Sequence, residues 1–263
     1  MARAISYGLA GVLEELELER PQLLTTQGLA EICARLNIKT PPRVVAERLR
    51  ERGWLLPTGQ RGVWEFAPAE LAGPYSSADP LMPLRAFGAA NPGVRFALSA
   101  QTAAWALGLA DRVPSVLDAS FESAPKVRVP DGVHVGVYRP NLPPSEAKGL
   151  PTLGPESMVV SLAQRPSAVR SWQGVEEWLP DVAYEITADS LLAEVEGRPP
   201  SVAARTGYLL QGVRPDVADA IMSELPPHSR VRFGRGPSRR CDERWLIADA
   251  ILPFDPRKME AVA

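Results

Sequence analysis

Apolar residues recur at helical spacing through Leu9, Leu13 and Leu16, and again through Leu29, Ile32, Cys33 and Leu36. The chain is therefore expected to open with amphipathic helices that each bury one face. Thr25 or Thr26 stands where a cap for the second helix belongs. Asn37 and Ile38 interrupt the pattern; Thr40 then offers a cap and Pro41 a first helical position, where the missing N–H costs nothing. A further helix is predicted from about Pro41 to Arg52, stopped by Gly53, with Val45, Leu49 and Val44 turned inward and Arg43, Glu47 and Arg50 outward. Trp54–Pro57 and Val63–Phe66 read as a hairpin around Thr58–Gly62, with Arg61 at its tip. Helix, turn, helix and hairpin in this order predict a winged helix-turn-helix that offers its outward face to a DNA groove; a purely structural winged domain is the alternative.

Periodicity weakens between Pro68 and Gly93, where Pro, Gly, Ser and Ala accumulate around a short helical stretch near Leu84–Ala90. This divides the chain into a domain over 1–72, a linker region over 73–93 and a larger domain over 94–263. In the larger domain Ser99 is placed to cap a helix that Gly108 ends. Strands are expected at Ser115–Phe121, Lys126–Val129 and Val133–Tyr138. Helices are expected at about Pro155–Gln164, Trp172–Trp178, Asp189–Glu194, Ser201–Leu210 and Pro215–Leu225, with closing strands near Val231 and Trp245. The fold class is α+β: an N-terminal winged helix-turn-helix joined to a larger mixed α+β C-terminal domain.

The charge matters by its placement. The 263-residue chain carries a net charge of −2, so it is no general polyanion binder. From Arg35 to Arg61, however, seven basic residues face only Glu47 and Glu51, a local excess of about five positive charges. The acidic run Glu14, Glu15, Glu17 and Glu19 is expected to face away from phosphate. A second basic cluster, Arg230, Arg232, Arg235, Arg239 and Arg240, lies in a Gly-rich loop between strands. It reads either as a solvated hairpin or as a secondary contact for nucleic acid or a protein partner.

Cys33 and Cys241 give no disulfide framework, and with His134 and His228 they lack the close spacing that holds metal ligands on one turn, so neither metal nor cofactor is expected. Pro130-Asp131 with Glu146-Ala147-Lys148 formally fits a metal-dependent nuclease pattern, but Pro143, Pro144, Gly149 and Pro151 prescribe a loop where that chemistry needs a strand. Neither histidine accompanies a nucleophile elbow. No enzymatic activity is expected. Trp105, Trp172, Trp178 and Trp245 sit in apolar patterns and read as core anchors. Arg3 and the apolar run Ala4–Leu13 lead straight into glutamates without a cleavage site, and no stretch approaches the roughly 20 apolar residues that span a bilayer. A cytoplasmic protein that does not engage membranes is expected.

The stretch LTTQGLAEICARLNIKTPPRVVAERLRERGWLLPTGQRGVWEFAP resembles the N-terminal winged helix of the AbiEi family of antitoxins. FALSAQTAAWALGLADRVPSVLDAS, LGPESMVVSLAQRP and SVAARTGYLLQG are similar, in the same order, to helix and strand segments of that family's second domain. The resemblance implies an antitoxin that represses its own operon by binding double-stranded operator DNA and neutralises a nucleotidyltransferase-like toxin, in a system associated with abortive infection against phage. It implies a DNA role for Lys39, Thr40, Arg43, Glu47 and Arg50 on the recognition helix and for Gln60 and Arg61 on the wing. Winged domains reading inverted repeats work as two copies, so a dimer on DNA fits. The alternative is a stand-alone winged-helix transcriptional regulator whose larger domain senses a ligand or dimerises.

Overall fold

Two groups of contacts organise the computed structural model, which describes residues 7–70 and 78–260. One unit comprises Met1–Val94 with Val127–Asp131, the other Arg95–Lys126 with Gly132–Ala263.

The first unit is built from α1 (Tyr7–Glu19), β1 (Leu23–Thr25), α2 (Thr26–Arg35), α3 (Pro42–Glu51), β2 (Leu55–Pro57), β3 (Val63–Phe66) and α4 (Met82–Ala90). The start of the opening apolar run, Ala4–Ser6, lies outside the described residues. Leu9, Leu13 and Leu16 of α1 meet Leu29, Ile32, Val45 and Leu49 of α2 and α3 in one core, as their spacing requires. Thr25 caps α2, its hydroxyl accepting from Gly28 N–H at 3.0 Å.

Helix α3 begins one residue later than expected: Thr40 makes no cap, and Pro41 is the flanking residue at φ −55°, ψ 136°. The reason is the second proline, since the ring of Pro42 clashes with a helical conformation at the residue before it. Strand β1 had no alternation to announce it. It exists because β3 offers an open edge, pairing antiparallel as Leu23↔Glu65 and Thr25↔Val63 in a sheet of order β1-β3-β2. Helix α4 falls within the stretch expected as linker, yet it groups with the first unit because Leu81, Leu84, Ala86 and Phe87 form a buried stripe. Gly73, Pro74, Ser76 and Ser77 of that stretch lie outside the described residues.

The second unit comprises β4 (Phe96–Leu98), α5 (Ala100–Ala106), β5 (Leu117–Phe121), β6 (Val133–Val137), β7 (Ser145–Ala147), β8 (Leu150–Thr152), α6 (Pro155–Gln164), α7 (Trp172–Tyr184), α8 (Ala188–Val195), α9 (Pro200–Leu210), α10 (Pro215–Glu224), β9 (Val231–Phe233), β10 (Arg240–Asp242) and β11 (Ile247–Asp249). Its larger sheet has the order β6-β5-β4-β8-β7 and its smaller one β10-β11-β9. Both mix parallel and antiparallel pairs. Four expectations change here. Ser99 stands at the start of α5, but its side chain makes no capping hydrogen bond. Lys126–Val129 forms no strand. Ser145–Ala147, expected as loop, is a strand, tolerated beside its prolines because β7 is an edge strand whose free side needs no donors. Helix α7 continues through Pro180 to Tyr184, because Leu179, Val182 and Ala183 extend the buried stripe.

Candidate functional site

In the first unit, the fold turns the face of α3 that carries Val45, Ala46 and Leu49 into the core. Arg43, Glu47, Arg48 and Arg50 are left exposed on the opposite side, and Lys39 is exposed in the preceding turn. Asn37, at φ +51°, makes that turn, while Ile38 N–H donates to Cys33 O at 2.9 Å and ties it to α2. Thr40 and Gln60 are half-buried, and Arg61 is exposed.

The hairpin tip is anchored rather than loose. Thr26 donates from its backbone N–H at 2.8 Å and from its hydroxyl at 3.1 Å to Gly62 O. Thr58 donates to Val63 O at 2.8 Å across the turn. Gly62 is obligatory there: its φ is +74°, and a Cβ would fall 2.6 Å from Thr26 Oγ1.

Ion pairing sorts the basic residues. Arg35 reaches back to Glu15 at 2.6 Å and Glu19 at 3.0 Å. It therefore belongs to the α1 side and leaves the local excess, while Glu15 and Glu19 of α1 have a partner of their own. Lys39, Arg43, Arg48, Arg50 and Arg61 have no ion pair among the described residues. Arg48 joins the set on exposure alone. Cys33 is buried in the core and its thiol pKa is pushed up by burial, which makes it a packing residue.

The Arg-rich segment of the second unit divides in a similar way. Arg240 is a structural residue: its guanidinium meets the buried Asp249 at 3.1 Å and also donates to Leu252 O. Arg230 holds both carboxylate oxygens of Glu243 at 2.7 Å. Arg232, Arg235 and Arg239 are exposed without side-chain partners among the described residues. Alternation along the strand accounts for the split at its start, since Val231 and Phe233 point into the core and Arg232 points out.

The formal nuclease pattern does not assemble. Asp131 pairs with Arg128 at 3.3 Å and is almost fully exposed. Glu146 lies on β7, and Lys148 occupies the following turn with its ammonium 4.6 Å above the ring of Trp105. No cluster of three or more metal-ligating side chains occurs among the described residues. Trp105 is thus only partly buried, whereas Trp172, Trp178 and Trp245 are core residues.

One site was missed. A cavity of about 280 Å³ opens over β5 and β6. Its floor carries Asp118 and Ser120 paired across the sheet with His134 and Gly136. Nδ1 of His134 lies 3.1 Å and Nη1 of Arg170 3.7 Å from Asp118 Oδ1. Burial raises the Asp118 carboxyl pKa above its ordinary value, against the opposing pull of Arg170 and His134. The available signal was the pattern Leu-Asp-Ala-Ser-Phe, which puts two polar residues on one face of a strand that is buried throughout.

These features define a two-unit α+β protein that presents an exposed basic helix face, without ion pairs among the described residues, and a separate polar cavity in its second unit. Residues 96–212 match the family model of the AbiEi antitoxin C-terminal domain. The solved structure of the RV2827C protein from Mycobacterium tuberculosis is similar over 95% of this chain and 94% of that one, at 25% identity and a TM-score of 0.76. That likeness runs through both units. No curated protein matches the sequence. No helix among the described residues is long and apolar enough to cross a membrane.

Proposed function

We propose that the protein is the antitoxin of a bacterial toxin-antitoxin system, repressing its own operon through a winged helix-turn-helix in the first unit and neutralising a nucleotidyltransferase-like toxin. The observation that carries the DNA half is the row of exposed cations Arg43, Arg48 and Arg50 along α3, without ion pairs among the described residues, with Lys39 before it and Arg61 at the anchored hairpin tip. The element order α1-β1-α2-α3-β2-β3 and the antiparallel order β1-β3-β2 support the winged reading. In it α3 enters a major groove, where Arg43 and Arg50 reach guanine edges or phosphates, with Thr40 and Glu47 beside them, and Gln60 and Arg61 follow the backbone or minor groove. The match to the antitoxin domain supports the neutralising half. No catalytic step or cofactor forms part of this reading, which fits a cytoplasmic protein bound to its operator as two copies.

Fluorescence anisotropy of the purified protein, with DNA from upstream of its own gene and with a scrambled duplex across a salt series, tests the repressor half. Selective binding that weakens as salt rises is the expected result; equal weak binding to both duplexes overturns it. The cavity over β5 and β6 favours a second reading, a stand-alone regulator whose larger unit senses a ligand. A neighbouring nucleotidyltransferase-like reading frame separates the two, since only the antitoxin requires one.

A further inference from the structure

We propose that the cavity over β5 and β6 binds a small phosphomonoester. The argument rests on which hydrogen-bonding groups there are already engaged. The buried acceptor, Asp118, is occupied by His134 and Arg170. The donors are not. Ser99 and Ser120 are largely buried residues whose hydroxyls keep some access to the cavity and have no hydrogen-bond partner among the described residues, and neither has the exposed guanidinium of Arg165. Trp178, in the cavity wall, keeps its buried Nε1–H unpartnered. A buried donor left unmatched, as this N–H is, costs free energy that a ligand rich in acceptor oxygens recovers.

Arginines at the cavity rim add positive charge. Arg165 comes from the end of α6 and Arg170 from the approach to α7. With Ser120 on β5 and Ser99 at the start of α5, donors reach the space from more than one element, which suits a tetrahedral dianion better than a planar carboxylate. Arg170, 3.7 Å from Asp118, offsets the charge of that carboxylate, so the net positive charge offered to an anion is that of Arg165. Gly136 keeps the floor open: with no side chain above its place beside Ser120, the space persists. Leu162, Val175 and Trp178 provide the apolar wall for a small organic body.

Calorimetric titration of the full chain with AMP, ribose 5-phosphate and a 5′-phosphorylated oligonucleotide, against adenosine as the phosphate-free control, tests the proposal. Binding by phosphate-bearing probes, absent for adenosine, is expected. It should weaken about tenfold or more in Arg165→Ala, as loss of a charge-assisted bond predicts, and disappear in Gly136→Leu, which plugs the cavity. Arg165 is exposed and has no side-chain partner among the described residues, so its variant keeps the fold. Preference for AMP or for the oligonucleotide tells whether the phosphate comes from a metabolite or a nucleic-acid end. Equal binding of adenosine and AMP, no binding by any probe, or binding that survives both substitutions overturns the proposal.

Discussion

Trp245 packs against the backbone of Gly207, so closely that a Cβ on Gly207 would lie 2.0 Å from the indole Cη2. The neighbours of this glycine bind the same region: Arg205 donates to Arg232 O at 2.9 Å and Tyr208 to Asp249 at 3.2 Å. The Arg-x-Gly-Tyr segment of α9 is thereby a docking strip for the small sheet. Gly207→Ala must displace the indole or bend the helix, and overpacking of this kind costs about 1–3 kcal/mol or more. A urea midpoint equal to that of the unchanged protein refutes this account.

Glu194 is fully buried and holds Arg198 at 2.5 Å while accepting from the backbone N–H groups of Asn141 and Leu142 and from the hydroxyl of Tyr138. This carboxylate fixes the segment after β6 onto α8. Removing it strands the mostly buried guanidinium of Arg198, so Glu194→Ala is expected to lose about 3–5 kcal/mol in chemical denaturation. Glu194→Gln, which keeps an acceptor, should lose less.

Asp79 receives Arg85 at 2.7 Å and the side chain of Gln22 at 2.8 Å. Burial pulls its pKa upward, but the Arg85 and Leu81 hydrogen bonds more than offset this and hold it below 3.8. A carboxyl with a depressed folded pKa contributes stability that is fully present above its unfolded value and is lost as pH falls through the folded one. The stability of the first unit should therefore drop from about pH 4 downward, and the Asp79→Asn variant should show a flatter acid limb. Urea midpoints measured from neutral pH to about pH 2 decide it.

Arg35 and Arg43 are both exposed arginines of the first unit, yet among the described residues Arg35 has ion-pair partners and Arg43 has none. On the proposed reading, Arg43→Ala or Arg50→Ala weakens operator binding by about 1–3 kcal/mol if the residue reads a base, or reduces the salt slope by about one if it grips phosphate. Arg35→Ala should leave DNA affinity unchanged, and the arginine variants should still neutralise the toxin. Loss of repression and neutralisation together refutes the division of labour, as does an operator affinity that tracks Arg35.

Sequence alone determined the local parts of this protein. The Thr25 cap, the inward stripe of Val45 and Leu49, the hairpin around Gly59 and Gly62, and the helices at Pro155–Gln164 and Pro215–Glu224 follow from caps, turns and periodicity, which act within a few residues. Tertiary structure decided what depends on remote partners. Strand β1 exists because β3 accepts it, β7 because β8 does, and Arg35 and Arg240 leave the free basic set because Glu15 and Asp249 come within reach. The cavity belongs to this second kind. Asp118, His134 and Arg170 are separated along the chain, and only the parallel pairing of β5 with β6 and the placement of the segment before α7 bring them together. Helical spacing is encoded by neighbours, whereas a site made by strand register is encoded by the whole fold.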